Sequence, residues 1–199
     1  MHHPRVTDTE TRGDRDPAAD PRAAVRPLVR TRQYREFTDR PLPAAALDAI
    51  LDAARWSGSS QNKQPWRFVL IRDEDTLRRI AEAGLPQTRS LRTATAAIAI
   101  VLPDDPAREL SLAYDDGPVA ERILIAASMV GFGGGIAWVR REIRGLVAEA
   151  LGLPADRFVR TIVSLGEPTR AARAPKSAPG TARLPRDEVV FDARWPTDT

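Results

Sequence analysis

The sequence predicts an α+β layered domain, and three observations carry that prediction. Apolar runs at 66–72, 95–102 and 158–165 have strand length and no helical period, and IAWV (136–139) makes about a fourth. Between them lie five or six helical patterns that do not alternate strictly with the strands. With 199 residues and 42% hydrophobic content, the chain is long enough to bury one sizeable core.

The elements follow in order. Residues 1–20 are polar, contain proline and lack periodicity, which reads as a disordered leader. Pro21 to Arg32 suits a short helix with Val25, Leu28 and Val29 on one face. Pro43 opens a second helix through Trp56, where Leu47, Ile50, Leu51 and Ala54 form an apolar stripe. Asp73 is positioned to cap a helix over 74–83 that Gly84 and Pro86 end. Asp115 to Val130 is apolar almost all round, so that helix is expected to be buried within one core or between two subunits. Gly131 to Gly135 read as a glycine-rich break, 141–151 as an amphipathic helix stopped by Gly152, and 158–165 as a last core strand. From Pro168 the chain is aperiodic apart from VVF at 189–191, an arm too poor in apolar residues to fold alone.

Composition excludes several kinds of chemistry. There is no cysteine, and both histidines, His2 and His3, lie in the leader. Ser-His-Asp and Cys-His nucleophiles, iron–sulfur clusters and most transition-metal sites are therefore not expected. Lys+Arg is 30 against 27 Asp+Glu, a net charge of +3, which does not indicate a nucleic-acid partner. No run approaches the ~20 apolar residues of a membrane helix, and the leader lacks the apolar core of a signal peptide, so the expected location is cytoplasmic. An enzyme of this composition must rely on carboxylates or a bound cofactor.

Three segments stand out. RTRQYREF (30–37) gathers Arg30, Arg32 and Arg35, either a solvated charge run or a clamp for phosphate. SGSSQNKQPW (57–66) gathers hydroxyls and amides with a single charge, Lys63, immediately before a strand. It is either a capped turn or a cradle for a neutral polar ligand. GFGGGIAWV (131–139) lacks the third glycine of a dinucleotide fingerprint, since Ile136 occupies that position. It is either a helix stop or a place where backbone must come close to a flat ligand.

In this order, and with FVRTIVSLGEP and a late ARLP (182–185), these segments resemble the FMN-dependent nitroreductase family over about residues 22–191. The loop is similar to that family's Pro-Ser-x-x-Asn-x-Gln-Pro-Trp signature, with Gly58 in place of the proline. Gln33 stands where the family usually has a serine. The resemblance implies a three-layer α/β/α sandwich with a mixed, mainly antiparallel sheet, built as an intertwined homodimer. Residues 21–168 would form the FMN-binding domain and 169–199 an extended arm packing on the partner subunit. It implies FMN phosphate ligands at Arg32, Gln33, Arg35 and Arg183, and a loop (Ser59, Ser60, Asn62) reaching the flavin from the other subunit. Ile136, Trp138 and Val139 would face the flavin ring, and Gln87 its pyrimidine edge.

Both lines lead to one expectation. A flavin brings its own redox centre, so the protein supplies orientation and hydrogen bonds and needs no catalytic side chain. The expected activity is reduction of nitroaromatic, quinone-like or related small acceptors by NADH or NADPH, in ping-pong fashion through flavin N5. Other flavin chemistry on the same fold (dehalogenation, flavin breakdown) and non-enzymatic flavin storage are the alternatives.

Overall fold

The computed structural model describes residues 20–178 and 180–195. The expected leader lies outside them except for Asp20, whose carboxylate accepts the Arg22 N–H at the start of α1 (Pro21–Arg30). Four strands, β1 (Arg67–Ile71), β2 (Ala96–Pro103), β3 (Gly133–Trp138) and β4 (Arg157–Gly166), form one sheet in the order β1-β2-β4-β3. Each neighbouring pair is antiparallel. The resemblance implies a mixed, mainly antiparallel sheet, but among the described residues the parallel component is one isolated bridge, Gln33 with Gly134. A parallel neighbour would need a fifth strand at an edge, and the described part of the arm supplies none.

Strand period two sends Ile98, Ile100 and Leu102 of β2 to one face, where they meet α2 (Ala44–Arg55) and α4 (Glu109–Met129). Ala97, Ala99 and Val101 face the other way, toward α3 (Glu74–Ala83) and α5 (Arg144–Leu151). The result is helix–sheet–helix, with two separate apolar cores. β4 carries an irregularity: Ile100 pairs with Thr161 but Val101 with Val159, so Arg160 is an extra residue. This bulge reverses the alternation, and Val159 and Val163 therefore fall in different cores despite their even spacing.

Two elements differ from their sequence signals. α4 begins at Glu109, six residues before the Asp-Pro signal, and carries Pro118 inside it. Its start is another Asp-Pro pair, where Asp105 accepts the Ala107 N–H at 3.1 Å in a short 3-10 turn. The glycines at 133–135 are strand, and only Gly131, with φ +87°, is the stop. α3 covers the predicted 74–83, and Asp73 caps it by accepting the Thr76 N–H at 2.7 Å.

Beneath α4, Asp116 accepts the Thr161 hydroxyl at 2.6 Å. Burial pushes its carboxyl up to about 6, although Thr161, Arg160 and Arg144 all pull the other way. With the folded value above the unfolded one, its stabilising contribution is complete below about pH 4 and lost as pH rises through about 6. Asp116→Asn is therefore expected to raise stability at pH 7.5 by roughly 1–3 kcal/mol while changing it little at pH 4. Urea unfolding of the apoprotein at both values checks this.

Candidate functional site

The segment 32–37 crosses the outer edge of β3, and the glycines are what allow it. Tyr34 N–H donates to the Gly134 carbonyl at 2.8 Å. A Cβ on Gly135 would collide with the Tyr34 carbonyl oxygen and stand 2.9 Å from Arg35 Nη1. One on Gly133 would run into Pro168 and Tyr34. The close approach that the sequence suggests for a flat ligand is thus made by the chain's own backbone, which delivers Gln33 and Arg35 to the β3 edge.

There the two side chains interlock. Gln33 Oε1 accepts from Arg35 Nη2 at 2.9 Å and from the Ile136 N–H at 3.2 Å. Both partners are donors, so the amide oxygen is held inward and the amide NH2 is left for the cavity. Because the Val139 N–H bonds the Arg160 carbonyl in the sheet, the alternation turns the backbone of Trp138 outward. Val139 itself is buried in the second core, with its N–H used in that bond, so it lies beneath the edge.

Gln33, Arg35, Ile136 and Trp138 line a cavity of about 530 Å³ with Pro86, Gln87 and Arg89. Among the described residues, Gln87 Oε1 is buried without a hydrogen-bond donor. A groove beside it shares Arg35 and Arg89 and adds Arg92 and Lys176, with Glu36 as its acidic member. Burial, and then the charge of Arg89, hold the Arg35 guanidinium below its ordinary range. Among the described residues neither arginine forms an ion pair, whereas Arg92 makes two 2.8 Å bonds to Glu82. Two uncompensated cations and an open strand edge suit an anionic, planar ligand that can hydrogen-bond along one side.

Arg89 carries no motif that marks it, and only its place beside Arg35 in the cavity lining reveals it. The other expected residues lie elsewhere in the single chain. Arg32 donates to the Arg173 and Ala174 carbonyls, both at 3.1 Å, and packs its guanidinium 5.7 Å from the Tyr34 ring. Arg183 is exposed and bonds the adjacent Ala182 carbonyl. Ser59, Ser60 and Asn62 belong to the loop that enters β1, at the opposite edge of the sheet from β3. Three interstrand spacings, about 14 Å, separate the two edges. A second cavity, about 340 Å³, is lined by Arg141, Arg144 and Arg157 but also by Asp104, Asp105 and Glu109, so its charge is internally balanced.

Residues 28–102 match the Nitroreductase family. A protein of Archaeoglobus fulgidus named as an NADH dehydrogenase/NAD(P)H nitroreductase is 33% identical over 147 residues, 69% of this chain and 80% of the relative. This chain belongs to the nitroreductase family. As an enzyme of that family it is an oxidoreductase. An FMN-dependent nitroreductase from Clostridium difficile, 25% identical, superposes with a TM-score of 0.72 over 83% of this chain and 97% of that one. Nitroreductase A from Vibrio parahaemolyticus shares the fold at 23% identity, with a TM-score of 0.74 over 89% and 78% of the two chains. Among the described residues no helix is long and apolar enough to cross a membrane, and no group of three or more His, Cys, Asp or Glu is placed to hold a metal.

Proposed function

We propose that this nitroreductase-family enzyme is a homodimer that binds FMN at the β3 edge and reduces nitroaromatic, quinone-like or related small acceptors with NADH or NADPH. The observation that carries the reading is the convergence of Arg35, Arg89 and Gln87 on one cavity at the edge strand, beside Trp138. The Clostridium difficile protein is named FMN-dependent, and the Archaeoglobus fulgidus relative is named for NAD(P)H. When bound, FMN supplies the chemistry, accepting a hydride at N5 from the nicotinamide and passing reducing equivalents to the acceptor.

The chain's own groups bind and orient. Turned from its buried position into the cavity, the Gln87 amide can bond the heterocycle's edge. The outward backbone of Trp138 offers it hydrogen bonds. Arg35 and Arg89 supply positive charge at an anionic part of the cofactor, which is strongest where water is excluded. The half-exposed Trp138 ring, 53% accessible, forms one wall of the mouth where nicotinamide and acceptor would sit in turn. The loop at Ser59, Ser60 and Asn62 completes the site from a second copy. Support for that copy comes from apolar groups left on the outside of one chain. They include Val25, Leu28 and Val29 of α1, Tyr114 of α4 (75% exposed), and Phe191 and Trp195 of the arm.

One pocket used alternately by donor and acceptor gives ping-pong kinetics. Initial rates with NADPH against a quinone at several fixed concentrations should give parallel double-reciprocal lines. Lines that converge would mean that both substrates bind at once, contradicting the single pocket.

A further inference from the structure

The loop 57–65 holds a shape its backbone does not favour. Gln61, Asn62 and Gln64 have φ of +53°, +53° and +45°, and none is glycine. Residues in that region persist where their surroundings over-determine them. Two side chains do so. Ser59 Oγ accepts the Gln64 N–H at 2.8 Å, closing the loop on itself. Asp115 Oδ1, on α4, accepts the Ser60 N–H at 3.0 Å and ties the loop to the core.

Asp115 is only 5% exposed, and among the described residues its second oxygen, Oδ2, has no partner. A carboxylate half satisfied at a core position is unfavourable for folding, and an apolar residue there would be less so. What the carboxylate does provide is a charge-assisted bond to the first N–H of the 3-10 turn Ser60–Asn62. Fixing that N–H fixes the turn, and with it the direction of the Ser60 and Asn62 side chains.

We propose that Asp115 is a positioning residue for the cofactor loop: through Ser60 it holds the strained turn in the one arrangement that meets the flavin bound by the partner subunit. The consequence for FMN rests on the function proposed above, whereas the anchoring does not. It is therefore tested with two readouts on the full-length protein. The first is amide hydrogen exchange of residues 58–66 in the apoprotein, and the second is titration of the apoprotein with FMN.

Asp115→Ala should speed exchange in 58–66 by about tenfold or more and weaken FMN binding by about the same factor, the loss expected for a hydrogen bond to a charged group. Asp115→Asn, which keeps a carbonyl acceptor, should restore most of both. Ser60→Pro deletes the same bond from the donor side. The extended Ser59 (φ −144°, ψ 158°) tolerates a following proline, and proline suits the first position of a helical turn. It should behave like Asp115→Ala, and Ser60→Ala should not show the faster exchange. Wild-type exchange and affinity in Asp115→Ala would overturn the proposal. If that variant does not fold, Ser60→Pro exchanging no faster than Ser60→Ala would overturn it equally. A wild-type protein that binds no FMN would contradict the proposed function, while the exchange comparison would still decide the role of Asp115.

Discussion

Gly135→Ala should abolish tight FMN binding and lower the stability of the apoprotein by about 1–3 kcal/mol, the usual range for overpacking a filled interior. The added methyl would meet the Tyr34 carbonyl oxygen, Arg35 Nη1 at 2.9 Å and Ser164 Oγ at 3.2 Å. The first of these is backbone and cannot swing away. Tyr34 is moreover held to Gly134 by its own N–H, so strand and crossing segment must separate together. Separation moves Gln33 and Arg35 off the cavity they line, and with them the donor set for the ligand. The affinity loss should be about 100-fold or more, the scale on which misplacements of about 1 Å act. Gly145→Ala is the control: nothing lies within 4 Å of its added Cβ. That variant should bind FMN normally and gain a little helix stability. Titrating both apoproteins with FMN, alongside thermal unfolding, separates the two outcomes.

Arg35→Met should dissociate binding from stability. In the apoprotein the Arg35 charge is disfavoured by burial and then by Arg89, which offsets the loss of its bonds to Gln33 Oε1 and the Tyr34 carbonyl, so thermal stability at neutral pH should change little. FMN binding should weaken roughly 10- to 100-fold, the worth of a charge-assisted bond. The dependence of that binding on salt should also become shallower, since one of two cations facing the ligand has gone. A purely structural arginine would show the opposite pattern, with stability falling and the salt dependence unchanged. Wild-type affinity in Arg35→Met would place the flavin's anionic part away from this pair.

What the sequence made legible were the features that local chemistry dictates. The apolar run of β2 and the Asp73 cap of α3 lie within a residue or so of where their patterns put them. The features it hid depend on partners distant in the chain. Gly133–Gly135 read as a break because glycine usually is one, and their reason for being in a strand is a segment a hundred residues earlier. The true start of α4 was masked by a second Asp-Pro signal, Asp115 to Pro118, inside the helix. The bulge at Arg160 has no local signature, since its role is to re-phase side chains between two cores. At the site, Gln33, Arg35, Ile136 and Trp138 fall in the segments that carry the resemblance, Gln87 comes from the resemblance alone, and one chain brings all five to one cavity. Arg89 and Asp115 were not legible, because a lone arginine and a lone aspartate acquire meaning only through Arg35 and Ser60. The resemblance places Arg32 at the phosphate, whereas in the single chain its guanidinium bonds the Arg173 and Ala174 carbonyls, more than a hundred residues away and invisible to local pattern.

The central claim is that the β3 edge holds a flavin that nicotinamide reduces. A visible absorption spectrum of the purified protein, incubated with FMN, desalted and then mixed anaerobically with NADPH or NADH, tests it most directly. The expected result is a retained oxidised-flavin spectrum that bleaches on adding the nicotinamide and returns on adding a quinone. A protein that emerges from desalting colourless, or whose flavin stays oxidised with both nicotinamides, would contradict the account.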